Sequence, residues 1–292
     1  MEVIDIHTHG IGSFDTETAS RKQIIKIAEL HAQNGVEIIV PTIYASEIDV
    51  MRLHVLTVKK AMEIQASSES TAISQARILG VHLEGPFLNP QRCGALNKNA
   101  FIKPSEKALD ELLDGVSEVV KVITVAPELD GAIPLIRQIR DRGIIVSMGH
   151  SDATYSEAEA GFYAGASGVT HLFNAMRPFH HREPGIAGFA LTNKDIYVEV
   201  IADPHHLHQK TISLIFNTKA SDKIIIISDT VKETQSSHYT GGIINTSNTL
   251  MGGSMTVMEA AKRLIKNGFN EELVMPCITT NPATYIGLHS MQ

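Results

Sequence analysis

Residues 223–229 read KIIIISD: four consecutive isoleucines, then a serine and an acid. A strand with one wet face alternates apolar and polar residues, so an unbroken branched-aliphatic run describes a strand covered on both faces. Seven other stretches share this form: VIDIHTH (3–9), EIIVPTI (37–43), ILGVHLEG (78–85), VVKVITVAPE (119–128), IIVSMGH (144–150), GVTHLFNA (168–175) and IYVEVIAD (196–203). Amphipathic stretches separate them. In SRKQIIKIAELHAQNG (20–35), for example, Ile24, Ile27, Ala28 and Leu30 mark one helical face and Gly35 supplies the stop. Strands joined through helices run parallel. Eight such units in 292 residues predict an α/β fold of the (β/α)8 TIM-barrel type. An open dinucleotide-binding sheet is disfavoured, because no GxGxxG follows the first strand.

No Pro/Ser/Gly-rich linker and no repeat of 20 to 50 residues divides the chain. Residues 1–292 are therefore expected to form one barrel domain, with 256–292 as closing helices. The segment SSHYTGGIINTSNTLMGGS (236–254) reads as a long loop after the eighth strand, at the barrel end where loops reach substrate. Hydrophobic content of 43% and a mean hydropathy of +0.02 describe a globule with a substantial core. No run of about 18 apolar residues and no basic-then-apolar leader is present, so neither a membrane span nor export is expected and the cytoplasm is the expected location. Cys93 and Cys277 belong to no CxxC pattern and are expected as reduced thiols. A net charge of -7 speaks against a nucleic-acid surface, and an anionic substrate would need local cations.

The active site of such a barrel is built at the C-terminal ends of its strands. Those ends carry His7 and His9, Glu84, His150, His171, Asp203 and Asp229. Neutral imidazole and carboxylate are the ligands that hold zinc and similar divalent ions, and side chains at i and i+2 of a strand project to one side. His7 and His9 can thus grip one ion. The alignment of so many donors at strand ends predicts a metal centre. His31, His54, His82, His180, His181, His238 and His289 have no such placement, and packing is the favoured role for His82.

IDIHTHG, HLEGPFLNP, MGHSDAT, THLFNAMRPF, HREPGIAG, ISDT and TLMGGSMT follow one another from residue 4 to about 256. In that order they resemble the amidohydrolase superfamily and, within it, the N-acetylglucosamine-6-phosphate deacetylases; TTNPATYIGL resembles the last helix of that family. The resemblance implies hydrolysis of the acetamide of N-acetylglucosamine 6-phosphate by a homodimer. It makes Glu84, His150 and His171 the ligands of one metal ion. His7 and His9 match members that hold a second ion, with Glu84 bridging and Asp229 adding a bond. Asp229 also matches the catalytic acid/base. Ala95, Asn174, Ala175, Arg182 and His206 match substrate-binding positions, Leu250 and Met251 a loop lining the sugar, and Arg182 reaches the neighbouring subunit's site. One or two divalent ions follow, with zinc expected and iron or manganese as alternatives.

The chemistry fits these assignments. A bound divalent ion makes water a nucleophile at neutral pH, a carboxylate can carry its proton to the departing amine, and an arginine fork suits a phosphate. Two departures stand out. Relatives carry some 50 residues before HxH that contribute to a small β-sandwich, which this chain is expected to lack. Leu96 in CGALN replaces a His or Gln able to bond the substrate carbonyl. Another amidohydrolase acting on a different small amide or N-acetylated sugar phosphate, or a non-catalytic sugar-phosphate-binding protein, are the competing readings.

Overall fold

Four isoleucines, Ile224–Ile227, form the eighth of eight parallel strands in the computed structural model, which describes residues 1–67, 74–236 and 241–288. In chain order the strands are β1 (Ile4–Thr8), β2 (Ile38–Tyr44), β3 (Val81–Glu84), β4 (Val120–Val125), β5 (Ile145–Met148), β6 (Gly168–Val169), β7 (Tyr197–Ile201) and β8 (Ile224–Ile227). Each pairs with its sequence neighbour. The seam from β8 to β1 is closed just above the strands, where Asp229 N donates to His7 O at 2.9 Å and His9 N to Thr230 O at 2.7 Å. The result is the expected (β/α)8 barrel.

A helix follows every strand: α1 (Arg21–Gln33), α2 (Ile48–Ala66), α3 (Glu106–Leu113), α4 (Ala132–Asp141), α5 (Tyr155–Ala164), α6 (Gly185–Thr192), α7 (Gln209–Thr218) and α8 (Val257–Lys266). Starts are chemically marked in several cases. Thr154 and Thr256 accept from the backbone N–H of Glu157 and Glu259, whose carboxylates return the bond, so α5 and α8 both open on capping boxes. Two short helices, α9 (Glu271–Val274) and α10 (Thr280–Tyr285), end the described chain.

The stripe on α1 is Ile24, Ile27, Ala28 and His31 rather than one containing Leu30. Spacing of three, one and three keeps those four on one side, while Leu30 lies a step off it and is only partly buried. His31 is buried because its Nε2 meets Thr8 Oγ1 at 3.0 Å. The third predicted strand is two: Arg77–Ile78 pairs with β2 before Gly80, and Val81–Glu84 enters the barrel after it. Gly80 is forced there, since a Cβ would sit 2.5 Å from Val119 O. The loop after β8 has internal order, with an antiparallel bridge between Ile244 and Leu250; its residues 237–240, His238 among them, and His289 lie outside the described residues.

A candidate binuclear metal centre

Strand alternation turns every second side chain of β3 inward, so His82 and Glu84 share the barrel interior. His82 is buried one step below the site, with Nε2 2.8 Å from Thr124 Oγ1 and its ring edge-on to His7. Burial holds it neutral, with its pKa lowered to about 3. This is a packing role.

Three of the anticipated residues lie just past their strands on left-handed backbone: His150 (φ 46), His171 (φ 33) and Asp229 (φ 49). Non-glycine residues adopt that region rarely, at a cost of order 1–3 kcal/mol each, and mostly at functional sites. Here the unusual φ turns each side chain across the barrel mouth. Glu84 meets both of these histidines and His9: its Oε1 lies 3.0 Å from His150 Nε2 and 3.1 Å from His171 Nε2, and its Oε2 lies 3.2 Å from His9 Nε2. Asp229 Oδ1 is 3.4 Å from His7 Nε2 and 3.5 Å from His9 Nε2, and those two nitrogens are 3.3 Å apart. The donors thus form two triads, His7–His9–Asp229 and Glu84–His150–His171, all buried.

These triads fit divalent ions. Tetrahedral ligands about 2.0–2.1 Å from an ion lie roughly 3.3–3.4 Å from one another, close to the separations seen. Proton placement points the same way. His150 Nδ1 is 2.9 Å from Arg92 O, which can only accept, so that nitrogen carries the proton. In the form that binds a metal, the other nitrogen offers its lone pair on the side of the Glu84 oxygen, where a cation between the two would satisfy both. Burial, with the charge of Glu84 beside it, pushes the Asp229 carboxyl well above its usual range. Glu84 is equally buried, yet His150, His171 and His9 hold it well below. Two carboxylates this close ionise together only with positive charge between them.

The triads floor a cavity of about 460 Å³. Ala95, Asn174, Ala175, His206, Leu250 and Met251 all line it, so six of the seven anticipated substrate residues come together. The seventh does not. Arg182 is exposed on the loop between β6 and α6 and is absent from the cavity wall. Leu96 lines the wall without a donor, as anticipated. Asp203 joins neither triad: its oxygens accept from the backbone N–H of His205, His206 and Ser254, and from His206 Nδ1 at 3.0 Å, which aims the far side of that imidazole elsewhere. Although burial opposes it, these bonds hold the Asp203 carboxyl well below the usual range. It is a positioning residue, not a ligand.

Two supports escaped the sequence reading. Glu199 is fully buried in β7, 3.4 Å from His7 Nδ1, and burial raises its pKa to about 7. Its one signal is a lone charge between Val198 and Val200. Glu128 fixes the turn bearing His150, accepting from Asp152 N at 2.6 Å and Ser151 Oγ at 2.7 Å.

The chain matches the amidohydrolase family over residues 3–291. It is 39% identical over 232 residues to the N-acetylglucosamine-6-phosphate deacetylase of Bacillus subtilis, a match that takes in 79% of this chain and 57% of that protein's length. It is 30% identical over 298 residues to the N-acetylgalactosamine-6-phosphate deacetylase of Escherichia coli O157:H7, covering 98% and 77% of the two. Among solved structures, a variant of the Mycobacterium smegmatis N-acetyl-D-glucosamine-6-phosphate deacetylase in complex with N-acetyl-D-glucosamine-6-phosphate superposes with a TM-score of 0.90 at 27% identity, over 98% of this chain and 77% of that one. With two facing triads at the mouth of a (β/α)8 barrel and a match that runs nearly end to end, the chain belongs to the amidohydrolase family.

Proposed function

We propose that this chain hydrolyses the acetamide of an N-acetylated hexosamine 6-phosphate, N-acetylglucosamine 6-phosphate first, to the free amine and acetate. The observation that carries the reading is Asp229, a buried carboxyl facing the imidazoles of His7 and His9 at the floor of a cavity that also holds Asn174, Ala175 and His206. Relatives named for this reaction support it. His7, His9 and Asp229, with Glu84, His150 and His171, would hold divalent ions that, when bound, would supply Lewis acidity and a more acidic water; zinc is the first choice, while iron or manganese accept the same ligands. Asp229 takes the proton of that water as its oxygen adds to the acetyl carbon, then gives it to the nitrogen so that the amine can leave. His206, oriented by Asp203, and Asn174 bind the sugar phosphate. Asn174 Nδ2 donates to the carbonyls of His171 and Leu172, which leaves its oxygen for the ligand.

Arg182, outside its own cavity, serves the site of a second copy in a homodimer under this reading. Loss of one charge-assisted phosphate contact costs on the order of 1.5–3 kcal/mol. Arg182→Ala should therefore raise KM for the phosphorylated substrate roughly 10- to 150-fold and leave the unphosphorylated sugar unaffected. Mixed dimers of Arg182→Ala and Asp229→Asn chains should regain close to one normal site, and no recovery after verified exchange would refute the shared site. No helix of the described residues is long and apolar enough to cross a membrane, and both cysteines are free; the cytoplasm is the proposed location.

Acetate release by zinc-loaded protein, measured on the glucosamine and galactosamine substrates side by side with metal content, tests the function. The E. coli relative is the reason to include the second epimer. Binding without acetate release would instead identify a sugar-phosphate-binding protein, and release only from other amides another amidohydrolase.

A further inference from the structure

The last residue of β2, Tyr44, pairs in register with Glu84, the residue that touches both triads. Its ring lies flat on the His9 imidazole, centroids 3.7 Å apart and planes 8° from parallel. Tyr44 lines the same cavity as His9, Glu84 and Asp229. Among the described residues its hydroxyl has no hydrogen-bond partner, and it is not one of the polar atoms sealed from solvent. Asp15, which lines the same cavity, is engaged elsewhere: it accepts from Glu17 N at 2.9 Å and faces Lys232 Nζ at 3.6 Å. A stacked ring with a free phenol, fixed at the level of the two triads, is a pre-positioned donor.

Asn174 Nδ2 is shared between two backbone carbonyls, His206 Nδ1 is held by Asp203, and Leu96 has no donor to offer. Resting on the deacetylase reading, we infer that Tyr44 is a catalytic residue whose O–H donates a hydrogen bond to the acetyl oxygen as negative charge develops there. When water oxygen bonds to the acetyl carbon, the carbon–oxygen π pair moves onto the carbonyl oxygen and the water proton goes to Asp229. Tyr44 stabilises that oxygen without surrendering its proton. When Asp229 protonates the nitrogen, the pair returns to re-form the carbonyl, the carbon–nitrogen bond breaks, and acetate and amine result.

Tyr44→Phe keeps the stacked ring and removes only the donor. In the zinc-loaded protein it should lower kcat on the order of 10- to 100-fold, with KM within about twofold and metal content equal to the parent. Affinity for a tetrahedral phosphonamidate analogue of the substrate, read by calorimetry, should fall by a similar factor. Leu96→His added to Tyr44→Phe places a new donor on the facing loop and should restore part of the loss. Unchanged kcat and analogue affinity in Tyr44→Phe would overturn the assignment, as would metal loss, which would make Tyr44 a support for His9 alone. Absence of acetate release from the parent protein would overturn the functional reading itself, and the substrate contact with it.

Discussion

The two triads use the same chemistry but stand on different foundations. Each pairs one tethered imidazole with one untethered: His150 Nδ1 is tied to Arg92 O and His7 Nδ1 to Glu199, while the Nδ1 atoms of His171 and His9 have no partner among the described residues. In the Glu84–His150–His171 triad the carboxylate ends β3, but both histidines stand on loops. Arg92 and Arg177 clasp Asp152, at 2.5 and 2.7 Å, two residues beyond His150. The His7–His9–Asp229 triad rests on the barrel itself, on the seam bond from Asp229 N to His7 O and on a polar chain buried below it, His82–Thr124–Thr170–Ser147–Glu199. A loop-held triad can shift with its loops. A seam-held triad cannot move without opening the barrel.

Three substitutions test that contrast. The largest effect is expected from Glu84→Ala, because this carboxylate reaches both triads; elemental analysis should find neither ion held, and turnover should fall more than about 1,000-fold. One retained ion would mean that Glu84 serves a single triad. Asp229→Asn comes next. The amide keeps an oxygen facing His7 and His9 but cannot carry a proton, so kcat should fall on the order of 100- to 10,000-fold with most of the metal kept. An undiminished rate would remove Asp229 from proton transfer. The smallest and most selective change is Glu199→Gln, which loosens only His7; affinity at the seam-held triad should drop roughly 10- to 100-fold while the loop-held triad is unaffected. Equal weakening of both, measured by competitive chelator titration, would erase the distinction.

Eight apolar runs made the barrel legible, because a strand buried on both faces has few residue types to choose from. The donors of the two triads were legible for a related reason: His7, His9, Glu84, His150, His171 and Asp229 each interrupt or end an apolar run with a residue that is costly to bury unpaired. Their geometry was not legible. His150, His171 and Asp229 read as strand ends but lie beyond them, since left-handed backbone at a non-glycine residue leaves no mark in composition. Glu199 was hidden by its place in mid-strand, where one charge between valines looks like a solvent-facing alternation. Tyr44 was hidden because its role depends on a register partner 40 residues away, across a helix. Arg182, exposed and off the cavity wall, has no place in the site of its own chain.

The seam also orders events in time. His171 and Glu84 are 87 residues apart, whereas the Oγ1 atoms of Thr8 and Thr230, 2.7 Å from each other across the seam, belong to residues 222 apart. Closing the longer loop costs only about 0.8 kcal/mol more by chain entropy, so the two triads differ little in what closure demands and greatly in when it can occur. A chain emerging from the ribosome has all three members of the loop-held triad by residue 171, before β7 and β8 exist. It cannot assemble the other until β8 docks against β1. An ion bound at the His7–His9–Asp229 triad would therefore report that the barrel has closed.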